Sequence, residues 1–135
     1  MSIYVDTSAF IALLVKEDVS NASARPFWDE LLDSQERLVT SNYVVVEACA
    51  LLHRRFGISA VRQLVGELLP IVLVAWVDAE LHTTGISSVL VSGRRGPGLV
   101  DCVSFATMRR LGIKRAFTFD SHFAEQGFEV CPAQG

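Results

Sequence analysis

Short apolar runs of strand character alternate along this chain with longer segments of helical character. Each run is rich in β-branched or aromatic residues and is followed by capping or turn residues, as Ser2–Val5 is followed by Asp6-Thr7-Ser8. The predicted strands cover residues 2–5, 37–40, 71–74, 114–119 and 128–130. The predicted helices cover residues 9–16, 21–34, 43–56, 59–68, 78–91 and 99–111, with a helical turn at 121–125. This alternation predicts an α/β fold whose parallel sheet is covered by helices on both faces.

The size and composition of the chain predict one globular domain over residues 1–135. The 135 residues are 50% hydrophobic and 20% charged, and no repeat or linker-like segment interrupts them. We expect no secretory signal, because the amino terminus lacks a cationic segment followed by an apolar stretch and a cleavage site. We expect no membrane span, because Glu47, Pro70 and Asp78 interrupt the long apolar stretches. The three cysteines lack CxxC spacing, which argues against a disulfide framework and a zinc site. A reducing cytoplasm is therefore the expected location.

The charge distribution leaves a polyanionic partner open. The net charge of −3 by itself speaks against nucleic-acid binding. The stretch from Ala50 to Arg115, however, carries far more cations than acids and predicts a locally basic surface. Its cations are Arg54, Arg55, Arg62, Arg94, Arg95, Arg109, Arg110, Lys114 and Arg115. Whether this surface binds RNA or is simply solvated stays open from the sequence.

Four carboxylates stand in apolar surroundings that give no packing reason for a charge. Asp6 and Asp120 each end an apolar strand, and Asp101 lies between apolar residues near the start of a helix. Glu47 lies on the predicted helix 43–56, which has almost no polar face. A buried carboxylate is costly unless it is paired, and no cation adjoins any of the four in sequence. If the fold brings them together, they would form a pocket for a divalent metal ion.

Each of these acids also has an ordinary structural explanation. Asp6 could cap the helix that follows it, and Asp120 could cap the short turn after it. Asp101 could simply oppose the positive end of its helix dipole. Glu47 could form a buried ion pair with Arg54 or with a more distant arginine. The four acids together are harder to explain in this way than each one alone.

Two hydroxyl side chains are candidates for supporting roles. Thr118 should point to the same face of its strand as Asp120, so its hydroxyl could hold a carboxylate or a water molecule. Strand propensity explains Thr118 equally well. Ser8 could orient Asp6, although helix capping is its commoner role.

Other common sites are disfavoured. The three histidines lack zinc-like spacing, and we expect them at the surface: His53, His82 and His122. The glycine-rich loop Gly93–Gly98 lacks the Lys-Ser/Thr pair that a phosphate-binding P-loop requires. No GxGxxG follows the first strand, so dinucleotide binding is disfavoured as well.

Four segments carry a likeness to a known family. They are Ile3-Tyr4-Val5-Asp6-Thr7-Ser8-Ala9-Phe10, then Ser41 followed by Glu47, then Asp101 with Ala106 and Gly112, then Thr118-Phe119-Asp120-Ser121-His122-Phe123. Together they resemble the PIN-domain family over essentially the whole chain. More narrowly, the chain resembles the VapC-type ribonuclease toxins, for which a lone, short PIN domain is typical.

The resemblance implies a three-layer α/β/α sandwich with a mostly parallel five-stranded sheet, and metal-dependent hydrolysis of RNA phosphodiester bonds. It implies Mg²⁺ or Mn²⁺ held by the catalytic acids Asp6, Glu47, Asp101 and Asp120, with Thr118 in support. Of these acids, Asp6 and Asp101 are expected to ligate directly. It also implies a homodimer and a cognate VapB-like antitoxin protein, as in a type II toxin–antitoxin pair.

Two other function classes remain open at this point. A metal-dependent phosphatase also needs clustered carboxylates, but the covalent type expects a second Asp two residues after the first, where this chain has Ser8. A non-catalytic RNA-binding PIN module would keep the fold without turnover, although it would be expected to lose the acids.

Overall fold

All five strands lie in one sheet, and every neighbouring pair of strands is parallel. The computed structural model describes residues 1–133. The strands are β1 (Ser2–Val5), β2 (Arg37–Ser41), β3 (Leu73–Ala75), β4 (Arg115–Phe117) and β5 (Glu129–Cys131). The helices are α1 (Thr7–Leu14), α2 (Asn21–Ser34), α3 (Asn42–Phe56), α4 (Ile58–Gln63), α5 (Ala79–Ser92), α6 (Leu99–Leu111) and α7 (His122–Glu125).

The order of the strands across the sheet is β3-β2-β1-β4-β5. The central strand β1 contributes Ile3, Tyr4 and Val5, all fully buried, as a parallel strand covered on both faces requires. Because parallel crossovers are right-handed, the connections leading from β1 towards β3 and those leading towards β5 place their helices on opposite faces. This arrangement confirms the predicted α/β fold with its five-stranded parallel sheet.

The strand order reverses between the central strand β1 and its neighbour β4. Just beyond their carboxyl ends, the backbone N–H of Asp6 donates to the carbonyl oxygen of Phe117 over 3.0 Å. In open α/β sheets the crevice for a ligand lies beyond the carboxyl ends of the strands at such a reversal. The fold therefore sets Asp6 and the residues after Phe117 where a site is expected.

Several predicted element bounds differ from the structure, among them the first helix, which is Thr7–Leu14 rather than 9–16. The third strand is Leu73–Ala75 rather than 71–74, because Leu69–Ile71 forms a 3₁₀ turn that accommodates Pro70 near its start. The helix predicted over 59–68 is α-helical only to Gln63 and continues as a π-helical turn over Leu64–Leu68. Strand β4 ends at Phe117, so the residues after it lie in a loop.

None of the helices within residues 1–133 is both long enough and apolar enough to span a bilayer. The three cysteines, which the sequence predicts to be unbridged, are free thiols.

Helices α5 and α6 approach each other closely at Gly85. A Cβ added there would lie 2.4 Å from Cγ2 of Val103, a fully buried and β-branched side chain of α6 that cannot easily turn away. We expect Gly85→Ala to lower the free energy of unfolding by about 1–3 kcal/mol, although alanine is the better helix former. Urea unfolding followed by circular dichroism measures the change.

Gly66 provides the matched control for this prediction. It also lies in a helical segment, but a Cβ added there meets nothing within 4 Å. Gly66→Ala should therefore be neutral or slightly stabilising. Equal effects of the two substitutions would show that close packing at Gly85 does not limit the α5–α6 contact.

Candidate metal centre

The four predicted acids line one pocket of about 660 Å³. They reach it from four separate parts of the fold: the end of β1, helix α3, the first turn of α6 and the loop after β4. The residues concerned are Asp6, Glu47, Asp101 and Asp120. The fold thus brings together side chains that are more than a hundred positions apart in sequence.

Asp6 is the most buried of the four acids, with 2% of its surface exposed. Its Oδ2 accepts hydrogen bonds from the Ser8 hydroxyl at 2.7 Å, the Thr118 hydroxyl at 2.9 Å and the Ser8 backbone N–H at 3.3 Å. Asp6 is also the N-cap of α1, so the capping explanation is correct but incomplete. Burial raises the pKa of its carboxyl group, and the hydrogen bonds from Ser8 and Thr118 act in the opposite direction.

Two hydroxyl groups connect Asp6 to the loop after β4. The fully buried Thr118 donates to Asp6 and accepts a hydrogen bond from the Asp120 backbone N–H at 3.0 Å. Ser8 donates to Asp6 and accepts one from the Phe119 backbone N–H at 2.9 Å. Ser8 therefore does not cap the helix, which Asp6 does; its hydroxyl instead orients Asp6 and holds the loop after β4.

His122 holds one oxygen of Asp120. Oδ1 of Asp120 accepts the His122 backbone N–H at 2.9 Å and lies 2.8 Å from Nδ1 of the ring. His53 and His82 are exposed as predicted, but His122 is half-buried, so the prediction is wrong for this residue. An Asp two residues before a histidine commonly bonds its backbone N–H, and this Asx turn is the signal that would have placed His122 beside the site.

Asp101 carries the clearest electrostatic signature of the cluster. Burial is the main cause that raises its pKa to about 8, followed by the negative charges of Asp6 and Asp120. A hydrogen bond with Asp120 and the charge of Glu47 act in the same direction. Near pH 7 the raised pKa therefore favours the protonated form of Asp101 in the metal-free cluster, which reduces the repulsion among the four acids.

Glu47 is half-buried on α3 and faces the pocket. Across residues 1–133 no cation forms an ion pair with it, so the alternative of a buried pair with Arg54 is not realised. An ion pair therefore does not explain why Glu47 lies in the pocket.

The donor set fits a hard divalent cation. Oδ1 of Asp6 is buried and, within the described part of the chain, has no hydrogen-bond partner. Buried carboxylate oxygens are rarely left in this state, and a cation would satisfy it. Ligand atoms of Asp101, Asp120 and His122 also lie within 4.8 Å of one another. Clustered carboxylate oxygens are the ligands that Mg²⁺ and Mn²⁺ prefer in proteins.

Comparison with known proteins identifies the fold and its relatives. Residues 3–129 match the PIN domain family. The 23S rRNA-specific endonuclease VapC20 of Mycobacterium tuberculosis is 36% identical over 132 residues, which are 96% of this chain and 98% of that protein.

Solved structures similar to this chain include two crystal structures. The structure of Mycobacterium tuberculosis VapC20, described as a sarcin-ricin loop cleaving toxin, has a TM-score of 0.81 at 34% identity and covers 94% of this chain and 96% of its own. FitAcB from Neisseria gonorrhoeae has a TM-score of 0.69 at 17% identity over 95% of both chains, which is a likeness of fold. The family predicted from the sequence is confirmed by these matches. This chain belongs to the PIN domain family.

Proposed function

We propose that this protein is a divalent-metal-dependent endoribonuclease, the toxin of a type II toxin–antitoxin pair, and that it cleaves the sarcin–ricin loop of 23S ribosomal RNA. The substrate is proposed from the full-length likeness to VapC20, which is a 23S rRNA-specific endonuclease and a sarcin-ricin loop cleaving toxin. One observation carries the chemistry: the unpartnered, buried Oδ1 of Asp6 lies in a pocket lined by three further carboxylates. Such an arrangement serves cation binding better than it serves the fold.

The reaction adds one water molecule across a phosphodiester, forming a new P–O bond as the bond to the leaving nucleoside oxygen breaks. A divalent cation supplies activation of the water and neutralisation of charge on the leaving oxygen. Asp6 and Asp101 would hold it directly, and Asp120 and Glu47 would complete its surroundings. Mg²⁺ is the proposed ion, with Mn²⁺ as its substitute, because the donors are oxygen atoms.

The surrounding side chains keep this constellation in place. Ser8 and Thr118 fix Oδ2 of Asp6, so that Oδ1 is the oxygen left for the cation. His122 fixes Oδ1 of Asp120 in the same way. To hold a cation, Asp101 would have to give up the proton that its raised pKa favours, because a protonated carboxyl group is a poor ligand. Preorganisation of this kind typically changes metal affinity by about 10–100-fold.

Partners and location are proposed from the family resemblance. We infer a homodimer, a VapB-like antitoxin that covers the acidic pocket, and a cytoplasmic location, which the three free thiols fit. Apolar side chains that are strongly exposed provide surface for such protein contacts: Trp76, Leu90 and Val91.

The phosphatase alternative is disfavoured by the role of Ser8. The place where the covalent type has its second Asp is taken by this serine, whose hydroxyl is engaged by Asp6 and Phe119. No carboxylate stands there to protonate a leaving group.

The test is cleavage of a sarcin–ricin-loop hairpin, beside a hairpin of scrambled loop sequence and the small ester p-nitrophenyl phosphate. We expect a cut at one position in Mg²⁺ or Mn²⁺, none in EDTA, and recovery when the ion is added back. Asp6→Asn protein purified in parallel controls for a contaminating nuclease. Cleavage undiminished in EDTA would exclude the proposal. Release of phosphate from p-nitrophenyl phosphate with the RNA left intact would favour a phosphatase. Binding of the RNA hairpin without cleavage would favour a non-catalytic module.

A further inference from the structure

The cations of the basic stretch divide into two groups when their contacts are compared. Arg110 pairs with Asp78 at 2.7 Å and with Glu80 at 3.2 Å, and therefore links α6 to the start of α5. Arg115 pairs with Glu36 at 2.7 Å and with Glu129 at 2.9 Å. Arg109 donates to Gln126 and lies over the ring of Phe128. These three arginines serve the fold: Arg110 and Arg115 are paired with acids, and the Arg109 guanidinium is held by Gln126 and Phe128.

Arg54 and Arg55, here called the α3 pair, belong to the second group. Both are exposed, and in the part of the chain that is described neither forms an ion pair or a side-chain hydrogen bond. They follow Glu47 by seven and eight residues on the same helix, two turns and roughly 11 Å further along one face. Leu51, between them and Glu47, also lines the acidic pocket. The α3 pair thus follows, on the same helix, two residues that line the pocket, and it adds positive charge beyond them.

Arg94 and Arg95, here called the turn pair, lie on a different element, in the turn between α5 and α6. They are the two central residues of a β-turn closed by the Gly96 N–H and the Gly93 carbonyl at 3.2 Å. Gly93 has a φ of 75°, and a Cβ on Gly96 would lie 2.4 Å from Cβ of Ser92, so both glycines are needed for this turn.

The turn lies a few residues before the segment that lines the site. Both arginines are exposed, and over residues 1–133 no acid pairs with them. Three residues after Arg95 the chain reaches Gly98, which lines the acidic pocket together with Leu99, Val100 and Asp101. The turn pair therefore stands where the chain enters the α6 side of the pocket.

The positive charges of the two arginine pairs can offset the repulsion between the acidic pocket and an RNA strand. The carboxylates of the pocket repel the phosphates of a nucleic acid, and a net charge of −3 gives no general attraction. Guanidinium groups bind phosphate oxygens in a bidentate manner, and uncompensated ones on two elements beside the pocket would hold a strand across it.

We propose that the α3 pair and the turn pair bind backbone phosphates of the RNA on either side of the cleaved bond, and that they set substrate affinity rather than the chemical step. The inference rests on the proposed ribonuclease function and names the surface by which that function selects its substrate. Since the contacts come from two separate elements, an RNA long enough to reach both is the preferred substrate. A dinucleotide would engage the pocket alone and be bound weakly.

The test compares Arg54→Gln/Arg55→Gln and Arg94→Gln/Arg95→Gln with the unsubstituted protein. In Mn²⁺, each double variant should raise KM for the sarcin–ricin-loop hairpin by about tenfold or more and leave kcat within about twofold. In EDTA, anisotropy of the fluorescein-labelled hairpin should show a matching loss of affinity. The slope of log K against log salt should fall by about 1.5, as the loss of two phosphate contacts predicts. Lysine at the same positions should restore most of that slope, since it keeps the charge.

Arg37 and Lys114 supply the matched control. Both are exposed and form no side-chain ion pair in the structure that residues 1–133 define, but they lie at the amino ends of β2 and β4, away from the site. Arg37→Gln/Lys114→Gln removes the same charge and should leave KM and the salt slope nearly unchanged.

The result that overturns the inference is distinct from failure of the function. If the unsubstituted protein cleaves RNA and substitution of either arginine pair by glutamine leaves KM unchanged, the inference is wrong. The inference is equally wrong if Arg37→Gln/Lys114→Gln weakens RNA binding as much as substitution of the α3 pair or the turn pair does. If no RNA is cleaved, the ribonuclease proposal fails, while the anisotropy measurement in EDTA still decides whether these arginines bind RNA.

Discussion

Asp6→Asn is expected to lower the single-turnover rate of RNA cleavage by about 1,000-fold or more while the protein stays folded. Lewis-acid activation contributes several kcal/mol, and every 1.36 kcal/mol corresponds to about tenfold in rate. The asparagine oxygen can still accept the hydrogen bonds of Ser8 and Thr118. Its amide nitrogen would take the place of the unpartnered Oδ1, where it cannot bind a cation.

Two measurements separate this loss of chemistry from loss of structure. Without metal, the variant should melt at the same or a higher temperature near pH 7, because a buried carboxyl group with a raised pKa no longer has to be accommodated. With Mn²⁺ added, the melting temperature should rise for the unsubstituted protein only.

A control variant shows whether the effect belongs to the site. Asp33→Asn removes one acid from the exposed surface of α2, where Asp33 makes no ion pair in the described structure. It should change neither the cleavage rate nor the rise in melting temperature with Mn²⁺. Full, chelator-sensitive cleavage by Asp6→Asn would contradict the role given to Asp6.

Binding of Mn²⁺ near pH 7 is expected to release about one proton. The pKa of Asp101 is raised to about 8, which favours a proton there that a bound cation displaces. Calorimetry in two buffers of different ionisation enthalpy counts the protons. The heats should differ for the unsubstituted protein near pH 7 and converge about one to two pH units higher, where Asp101 is already ionised. Equal heats in both buffers near pH 7 would contradict the proton on Asp101.

The same raised pKa fixes the sign of the pH dependence of stability. Unfolded Asp ionises near pH 4, so between about pH 4 and pH 8 the folded, metal-free protein binds more protons than the unfolded chain. Stability is therefore complete below the unfolded pKa and is lost as the pH rises through the folded one. The melting temperature without metal should fall from about pH 5 to pH 8, and this fall should be smaller in Asp101→Asn. Saturating Mn²⁺ should reverse the trend, because it binds the ionised form.

Local sequence patterns were sufficient for some parts of the site. Asp6 and Asp120 follow apolar strands, and the carboxyl ends of parallel strands share an edge, so their proximity was predictable. Glu47 and Asp101 reach the site because of how α3 and α6 pack on the sheet, and local sequence patterns do not predict this packing. Their place in the site came from the family resemblance and from the absence of a neighbouring cation.

Other features could not be predicted from local patterns. The strand order is set by long-range pairing, and the third strand shifted because a short apolar run beside Pro70 fits a 3₁₀ turn as well as a strand. Among the cations, Arg110 and Arg115 have the same local signature as the α3 pair, and only their tertiary partners distinguish them.

The double duty of Asp6 has an evolutionary consequence. Its side chain begins α1 and ties β1 to the loop after β4, so a lineage that abandoned catalysis could not freely replace it. A descendant without nuclease activity should keep a hydrogen-bonding residue such as Asn or Ser at position 6, while positions 47 and 101 drift without restraint.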